Sequence, residues 1–147
     1  MKWILCAVDG SEQSHAAAER AVELAEKLGE GLVLLYVVEP PSLPAAAVPA
    51  LATLVDDHAT WAQNYLNDLA KELRRPGLEV STQVVAGTPV DAIVHFASRP
   101  GIDMVVVGSH GRGMVARFLL GSVATRLSNA CPKPLLIERG VTLDRAA

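Results

Sequence analysis

Hydrophobic residues in this chain occur in short aliphatic runs separated by longer stretches with helical periodicity. Three runs are almost continuously apolar, which is typical of strands buried on both faces of a parallel sheet. These runs cover residues 3–8, 32–38 and 102–107, and the second of them is expected in the sheet centre. Residues 78–86 instead alternate apolar and polar side chains and predict an edge strand with one face in solvent. A short fifth strand is predicted at residues 135–137.

The first two predicted helices have clear apolar faces. Ser11 can cap the first helix, whose apolar stripe consists of Ala18, Val22, Ala25 and Leu28. Residues 40–49 are rich in proline and are predicted to form a loop. The second helix then keeps one apolar face for about six turns before Pro76 stops it. That face contains Leu51, Leu54, Val55, His58, Ala62, Tyr65, Leu66, Leu69 and Leu73.

Two shorter helices complete the pattern. Thr88 and Pro89 predict the start of the third, because proline suits the first helical position, and its buried side contains Ile93, Phe96 and Ala97. The fourth is predicted with Ser122 as its N-cap and with a stripe of Val123, Leu127 and Ala130. Strands that alternate with helices in this way predict one α/β domain over residues 1–147. It would be a doubly wound parallel sheet of five strands with helices on both faces.

Composition narrows the range of functions. The net charge is −3 and the 13 lysines and arginines are scattered, so neither nucleic acid nor an anionic membrane is implied as a partner. Cys6 and Cys131 are expected to be reduced packing thiols, because two distant cysteines make neither a disulfide framework nor a metal site. The apolar run before Asp9 is too short for a secretory signal and no stretch reaches transmembrane length, so we expect a cytoplasmic protein.

A glycine-rich stretch follows the fourth strand. Gly108, Gly111 and Gly113 come first, and Gly121 then precedes Ser122 at the start of a helix. Glycines let backbone N–H groups approach a ligand closely, and a helix start exposes unpaired N–H groups where an anion can bind. Each glycine also has an ordinary explanation as a turn or strand end. Taken together, they predict a phosphate-binding loop.

Two common phosphate motifs fit these residues only in part. The spacing from Gly108 to Gly113 resembles the start of a P-loop, but Met114 and Val115 stand where lysine and serine or threonine are required. The stretch 111–116 matches a dinucleotide fingerprint, yet it follows the fourth strand and no acidic residue lies about twenty positions further on. A Walker-type ATPase and a dinucleotide enzyme are therefore disfavoured.

The pattern Gly108-x2-Gly111-x9-Gly121-Ser122 resembles the nucleotide-binding motif of the universal stress protein family, in its ATP-binding branch. Residues 7–11, 36–39 and 134–137 are also similar to that family, so the resemblance covers almost the whole chain. It implies the strand order 3-2-1-4-5, which would bring Asp9 and Gly108 to one crevice where the winding of the sheet reverses.

The resemblance also implies site residues. It assigns phosphate binding to Gly108, Gly111, Gly121, Ser122 and Val123. Asp9 would lie near the ribose hydroxyls or a metal-bound water, with a turn aspartate as the alternative. Adenine would occupy a slot near Ala7, Val8 and Val107, read by main-chain groups around Val37, although Ala7 departs from the proline common there. Arg112 is the best placed arginine for phosphate, whereas Arg117 and Arg126 are expected on the helix surface. His110 could touch a phosphate from the loop, but exposure to solvent is favoured over a catalytic role.

Three functions remain open at this point. The leading hypothesis is a switch or assembly module that binds ATP or AMP, with Mg²⁺ carried by the nucleotide left open. The second is a slow ATP hydrolase that uses the same site, although no catalytic residue and no metal ligand can be assigned. The third is a structural stress protein without nucleotide. The resemblance further implies a homodimer formed through the fifth strand, from Pro134 to Glu138.

Overall fold

The structure is a computed structural model that describes residues 1–41, 44, 46, 48–110 and 120–140. It contains a parallel sheet with the strand order β3-β2-β1-β4-β5. The strands are β1 (Trp3–Val8), β2 (Gly31–Val38), β3 (Val80–Ala86), β4 (Ile102–Gly108) and β5 (Leu135–Glu138). The helices are α1 (Glu12–Leu28), α2 (Val48–Glu72), α3 (Pro89–Ala97) and α4 (Ser122–Ala130). The predicted α/β fold class and strand order are confirmed.

Each face of the sheet carries its own hydrophobic core. Successive side chains of a strand point to opposite faces, so Ile4 and Cys6 pack against α1 and α2 while Leu5 packs against α3 and α4. These three side chains are fully buried. Both faces of β1 are covered, which explains why its sequence is continuously apolar rather than alternating. Burial also raises the pKa of the Cys6 thiol to about 12, and both Cys6 and Cys131 are free.

The topology places one crevice above the middle of the sheet. β1 pairs with β2 on one side and with β4 on the other, so β1 is the central strand and β2 lies beside it rather than at the centre. The chain winds in one direction from β1 to β3 and in the other from β4 to β5. Ligands of open α/β sheets bind outside the carboxyl ends of the strands at such a reversal.

Several details of the sequence interpretation are wrong. α2 begins at Val48, inside the predicted loop of residues 40–49, because Pro49 lies in the first turn, where its missing N–H group costs nothing. Leu28 and Leu54 are about half exposed and Ala130 is exposed. Helical periodicity identifies the apolar face of a helix, but the ends of that face can extend past the sheet and so remain exposed. No described helix is long and apolar enough to cross a membrane.

A pair of carboxylates lies at the amino ends of the strands, opposite the crevice. Burial of Glu30, with the hydrogen bond and negative charge of Asp103, raises the pKa of Glu30, and the charge of Lys2 opposes this shift. Lys2 Nζ lies 3.4 Å from an Asp103 oxygen. A raised pKa means that the folded state disfavours the ionised carboxylate. The charged pair therefore reduces stability at neutral pH, and protonation of Glu30 relieves this as the pH falls.

Replacing Glu30 with glutamine is expected to stabilise the protein at pH 8. The melting temperature should rise by roughly 1–3 °C, since partly exposed charge contacts contribute about 0.5 kcal/mol. The gain should shrink as the pH falls and the wild-type carboxyl of Glu30 becomes protonated itself, because its pKa is raised. Thermal unfolding at pH 8 and pH 4.5 measures this, with the exposed Glu26→Gln as the matched control. An equal gain at both pH values would contradict the interpretation.

Candidate functional site

The crevice contains a cavity of about 260 Å³ at the carboxyl ends of β1 and β4. Residues from β1, β2, β4, α1, α3 and α4 line it, so segments that are distant in sequence meet there. All the predicted site residues that the structure describes contribute to the lining: Ala7, Val8, Asp9, Val37, Val107, Gly108, Gly121, Ser122 and Val123. Gly111 and Arg112 lie outside the described residues, as does Arg117.

One end of the cavity is apolar. Ala7, Val37 and Val107 belong to the sheet face that packs against α3 and α4, and Pro89 and Ile93 of α3 close this end from above. Val8 also lines the cavity, but its side chain packs in the core on the opposite face of the sheet. The arrangement provides a slot between sheet and helix that suits a flat apolar group.

Asp9 lies where β1 ends, in a turn stabilised by two serines. Its Oδ1 accepts the Ser11 N–H at 2.9 Å, and its own N–H donates to Ser14 Oγ at 3.2 Å. Ser14 Oγ donates in turn to the Ser11 carbonyl at 3.0 Å. Ser11 is the N-cap of α1, and its Oγ accepts the Ser14 N–H at 3.1 Å. The carboxylate of Asp9 is thus oriented by the turn and also lines the cavity.

α4 begins at the polar end of the cavity. Gly121 is its N-cap, in an extended conformation, and Ser122 is the first helical residue. The prediction of Ser122 as the cap is therefore wrong, because helical dihedral angles begin at Ser122 itself. The first bond within the helix runs from the Thr125 N–H to the Gly121 carbonyl at 3.0 Å. The helix thus leaves unused the N–H groups of Ser122, Val123 and Ala124, all of which line the cavity.

The end of β4 is tied to both α4 and β5. The Ser109 N–H donates to the Glu138 carbonyl at 2.8 Å, and the Ser109 carbonyl accepts the Gly121 N–H at 2.7 Å. Gly108 packs closely against the first turn of α1, where an added Cβ would lie 2.9 Å from the carbonyl carbon and oxygen of Gln13. Gly108 therefore has a packing reason to be glycine besides any contact with a ligand.

His110 is buried, so its predicted exposure to solvent is wrong. It is 8% exposed and Ser109 is 1% exposed. The Ser109 hydroxyl lies 3.0 Å from His110 Nδ1, whereas His110 Nε2 is shielded from solvent and has no hydrogen-bond partner among the described residues. A loop histidine is usually solvated, but this one directly follows Ser109, whose backbone is bonded to Gly121 and Glu138. Arg126, in contrast, is exposed as predicted.

Other lining residues were not identified from the sequence. Ser14 is buried although it lies on a helix, and Ser109 and Pro89 are also part of the lining. For Ser14, the one available signal in the sequence was its position three residues after the capping serine, Ser11. Among the described residues, no group of three His, Cys, Asp or Glu side chains could hold a metal ion.

Comparison with known proteins settles the family. The family model described as the universal stress protein family matches residues 1–139. The chain belongs to the universal stress protein family. It is 30% identical over 144 residues to the universal stress protein MJ0531 of Methanocaldococcus jannaschii, with 94% of this chain and 82% of the relative covered.

Solved structures of the family resemble this one in fold. The universal stress protein UspA from Lactobacillus plantarum has a TM-score of 0.87 at 27% identity, with 94% of this chain and 97% of that chain covered. A universal stress protein in complex with cAMP has a TM-score of 0.62 at 28% identity, with 92% and 94% of the two chains covered. The sheet and its helices are therefore shared along nearly the whole length of these proteins.

Proposed function

We propose that this universal stress protein binds an adenine nucleotide, ATP or AMP, in the cavity and acts as a nucleotide-dependent switch or assembly module. The observation that carries the proposal is that one cavity contains an apolar slot, a carboxylate and a helix N-terminus. A nucleotide needs these three environments for its base, its ribose and its phosphates. The related structure solved in complex with cAMP supports an adenine nucleotide in particular.

The two ends of the cavity suit different parts of the ligand. Adenine would lie between Ala7 and Val107 on the sheet and Ile93 on α3, a contact made of apolar surface. Asp9 would accept hydrogen bonds from the ribose hydroxyls. The volume of about 260 Å³ is near the lower end of the roughly 300–1,000 Å³ typical of small-molecule sites. It suits a nucleoside with phosphates directed towards the start of α4.

The phosphates would bind at the start of α4. The N–H groups of Ser122, Val123 and Ala124 have no partner within the helix, and the positive end of the helix dipole favours an anion there. Gly111 and Arg112 remain predicted phosphate contacts. Any Mg²⁺ would be held mainly by the phosphates, because a magnesium site with one protein carboxylate and nucleotide oxygens is common, and Asp9 lines the cavity.

Thermal shift tests the nucleotide class. A ligand that binds only the folded protein raises its apparent stability according to its affinity and concentration. ATP and AMP should raise the melting temperature of nucleotide-stripped protein, whereas GTP at equal concentration should have a much smaller effect, because its base presents different edge groups to the slot. Equal shifts with ATP and GTP would contradict adenine recognition and leave only phosphate binding.

We further propose a homodimer formed through β5. The carbonyl oxygens of Pro134 and Glu138 accept the N–H groups of Val105 in β4 and of Ser109 directly after it. By alternation, Leu135 and Ile137 direct their N–H groups away from β4. β5 is an edge strand of half-buried residues, and an unpaired apolar edge favours association. A second copy of β5 would satisfy these N–H groups.

Ile137→Pro is expected to shift the protein from dimer to monomer. Proline removes the outward N–H of Ile137 but leaves the bonds of Pro134 and Glu138 to β4 in place. The substitution should weaken dimerisation at least tenfold. Sedimentation velocity at micromolar concentration measures this change. Ile137→Val keeps the N–H group and is the matched control. A wild-type protein that sediments as a monomer would refute the dimer.

A further inference from the structure

A second cavity lies between the end of β3 and α3. Its volume is about 370 Å³, and it shares no lining residue with the first cavity. Its apolar lining includes Val85, Ala86 and Phe96, and its charged lining includes Asp91 and Arg99. The structure describes every residue from 80 to 99. This cavity is therefore a separate candidate site.

The cavity is open because α3 does not fully cover β3. Val85 packs in the core that contains the buried residues of α3, so by alternation Ser81 and Gln83 also face that side of the sheet. Gln83 is exposed, and Ser81 and Val85 are half-buried. This face of β3 thus remains accessible next to the cavity.

The outer edge of β3 presents backbone groups that no described strand uses. The Glu79 carbonyl accepts the Leu32 N–H at 2.9 Å, and the Gly87 N–H donates to the Val38 carbonyl at 3.0 Å, so these groups point towards β2. By alternation, the N–H and C=O groups of the even-numbered residues 80–86 point away from β2. β3 is an edge strand of the sheet that the described residues form.

β3 lacks several features that protect edge strands. It has seven residues, none of them charged and none of them proline. Its register with β2 is uninterrupted from Val80 to Ala86, so it contains no bulge. Natural edges are often protected by lysine, proline, a bulge or a covering segment. An uninterrupted edge beside an open cavity can accept an additional strand, whose main chain pairs with the edge while the cavity selects its side chains.

Arg99 gives the second cavity a positive charge without an ion-pair partner. Its guanidinium carbon lies 3.9 Å from the centroid of the Phe96 ring, a contact that favours one position of the group. It forms no ion pair with the residues that the structure describes. The Asp91 carboxylate, in contrast, accepts the Thr88 hydroxyl at 2.9 Å. A carboxylate is the natural complement of the free guanidinium.

We propose that the edge of β3 and the second cavity form a docking surface for an extended acidic peptide segment of a partner protein. The backbone of the peptide would pair with the even-numbered residues 80–86. One apolar side chain would lie against Val85 and Phe96, and an acidic side chain two positions away, on the same face of the added strand, would bind Arg99. This inference does not depend on nucleotide binding.

Two synthetic peptides test the proposal against nucleotide-free protein. The first is a blocked seven-residue peptide in which threonine alternates with valine, glutamate and valine, so that the last three share one face. The second has lysine in place of glutamate. Fluorescence anisotropy should show binding of the glutamate peptide and at least tenfold weaker binding of the lysine peptide, because lysine would place a like charge beside Arg99.

Two variants separate the backbone contact from the charge contact. Ala86→Pro removes an outward N–H group and leaves the bonds to β2 in place, so it should weaken binding of the glutamate peptide about fivefold. Ala86→Ser keeps the N–H group and is its control. Arg99→Ala should weaken the same peptide about fivefold and remove the preference over the lysine peptide. The exposed Arg126→Ala is the control for charge, and thermal unfolding shows whether each variant is folded.

Hydrogen exchange measures the added strand directly. In the free protein, the amides of Val84 and Ala86 point away from β2 and should exchange faster than the amide of Val85, which points towards it. A saturating concentration of the glutamate peptide should slow exchange at Val84 and Ala86 at least tenfold, because a new backbone bond protects an amide. Unchanged exchange at both residues would contradict strand addition.

The remaining outcomes also decide the proposal. If neither peptide binds at millimolar concentration, or both bind equally, the docking surface for an acidic peptide is wrong. Equal binding to the wild type and to folded Ala86→Pro and Arg99→Ala would place the peptide elsewhere. If Ala86→Pro reduces the size of the assembly in sedimentation without any peptide, a second copy of this chain occupies the edge, which overturns the proposal.

Discussion

Replacing Gly121 with valine is expected to reduce ATP affinity at least a hundredfold while the protein stays folded. Gly121 is the buried N-cap of α4 and lines the cavity. A branched side chain there would occupy the space in front of the N–H groups of Ser122 and Val123. Losing two hydrogen bonds to a charged group, each contributing about 1.5–3 kcal/mol, accounts for the size of the effect.

The backbone at Gly121 does not itself require glycine. Its φ of −65° and ψ of 164° lie in the extended region that valine readily adopts, and its N–H group can still donate to Ser109. Calorimetric titration with ATP, combined with circular dichroism, separates lost binding from unfolding. Ala130→Val places the same side chain at the exposed far end of α4 and should bind as the wild type does. A folded Gly121→Val protein with unchanged affinity would show that the phosphates bind elsewhere.

Replacing Gly108 with alanine is expected to destabilise the protein in the absence of any ligand. The new Cβ would lie 2.9 Å from the carbonyl carbon and oxygen of Gln13, so the backbone of α1 would have to move. Overpacking of this kind costs about 1–3 kcal/mol. Urea unfolding of nucleotide-free protein measures the loss.

This result would separate two roles of Gly108. If the residue served only to admit a phosphate, nucleotide-free Gly108→Ala would be as stable as the wild type. Because the contact is with backbone atoms, the second change Gln13→Gly should not restore stability, although it removes the side-chain contact at 3.1 Å. A shift of the first turn of α1 would also displace the turn that holds Asp9, so nucleotide affinity should fall together with stability.

The main elements of the fold could be predicted from local patterns. β1, β2 and β4 are continuously apolar because both of their faces are covered, and β3 alternates because it lies at the edge. The order of the strands could not be obtained in this way, since parallel strands pair through contacts that periodicity does not encode. It came from the resemblance of the glycine pattern to one family, and the structure confirms it.

The candidate site shows the same division between local and long-range information. Asp9 and Gly121 could be recognised from the local sequence, because Asp9 directly follows a predicted strand and Gly121 directly precedes a predicted helix. His110 is buried directly after Ser109, whose backbone bonds to Gly121 and Glu138 are not local in sequence. Ser14 is similar, because its burial reflects the packing of α1 on the sheet. The site residues that the sequence did not reveal are those whose burial depends on long-range packing.

The misplaced cap of α4 has a different cause. Serine and glycine are both common N-caps, and adjacent positions in Gly121-Ser122 offer both choices. The backbone bond from Gly121 to Ser109 fixes Gly121 outside the helix, so helical geometry starts one residue later than a serine cap requires. This contact couples the start of α4 to the end of β4, and both segments line the cavity.

Calorimetric titration of purified, nucleotide-stripped protein with ATP, AMP and GTP in the presence of magnesium is the most direct test of nucleotide binding in this cavity. We expect ATP and AMP to bind with one site per chain, GTP to bind much more weakly, and Gly121→Val to abolish the signal. If the folded wild type binds none of the three nucleotides, the cavity is not a nucleotide site, and the glycines after β4 serve packing and chain reversal alone.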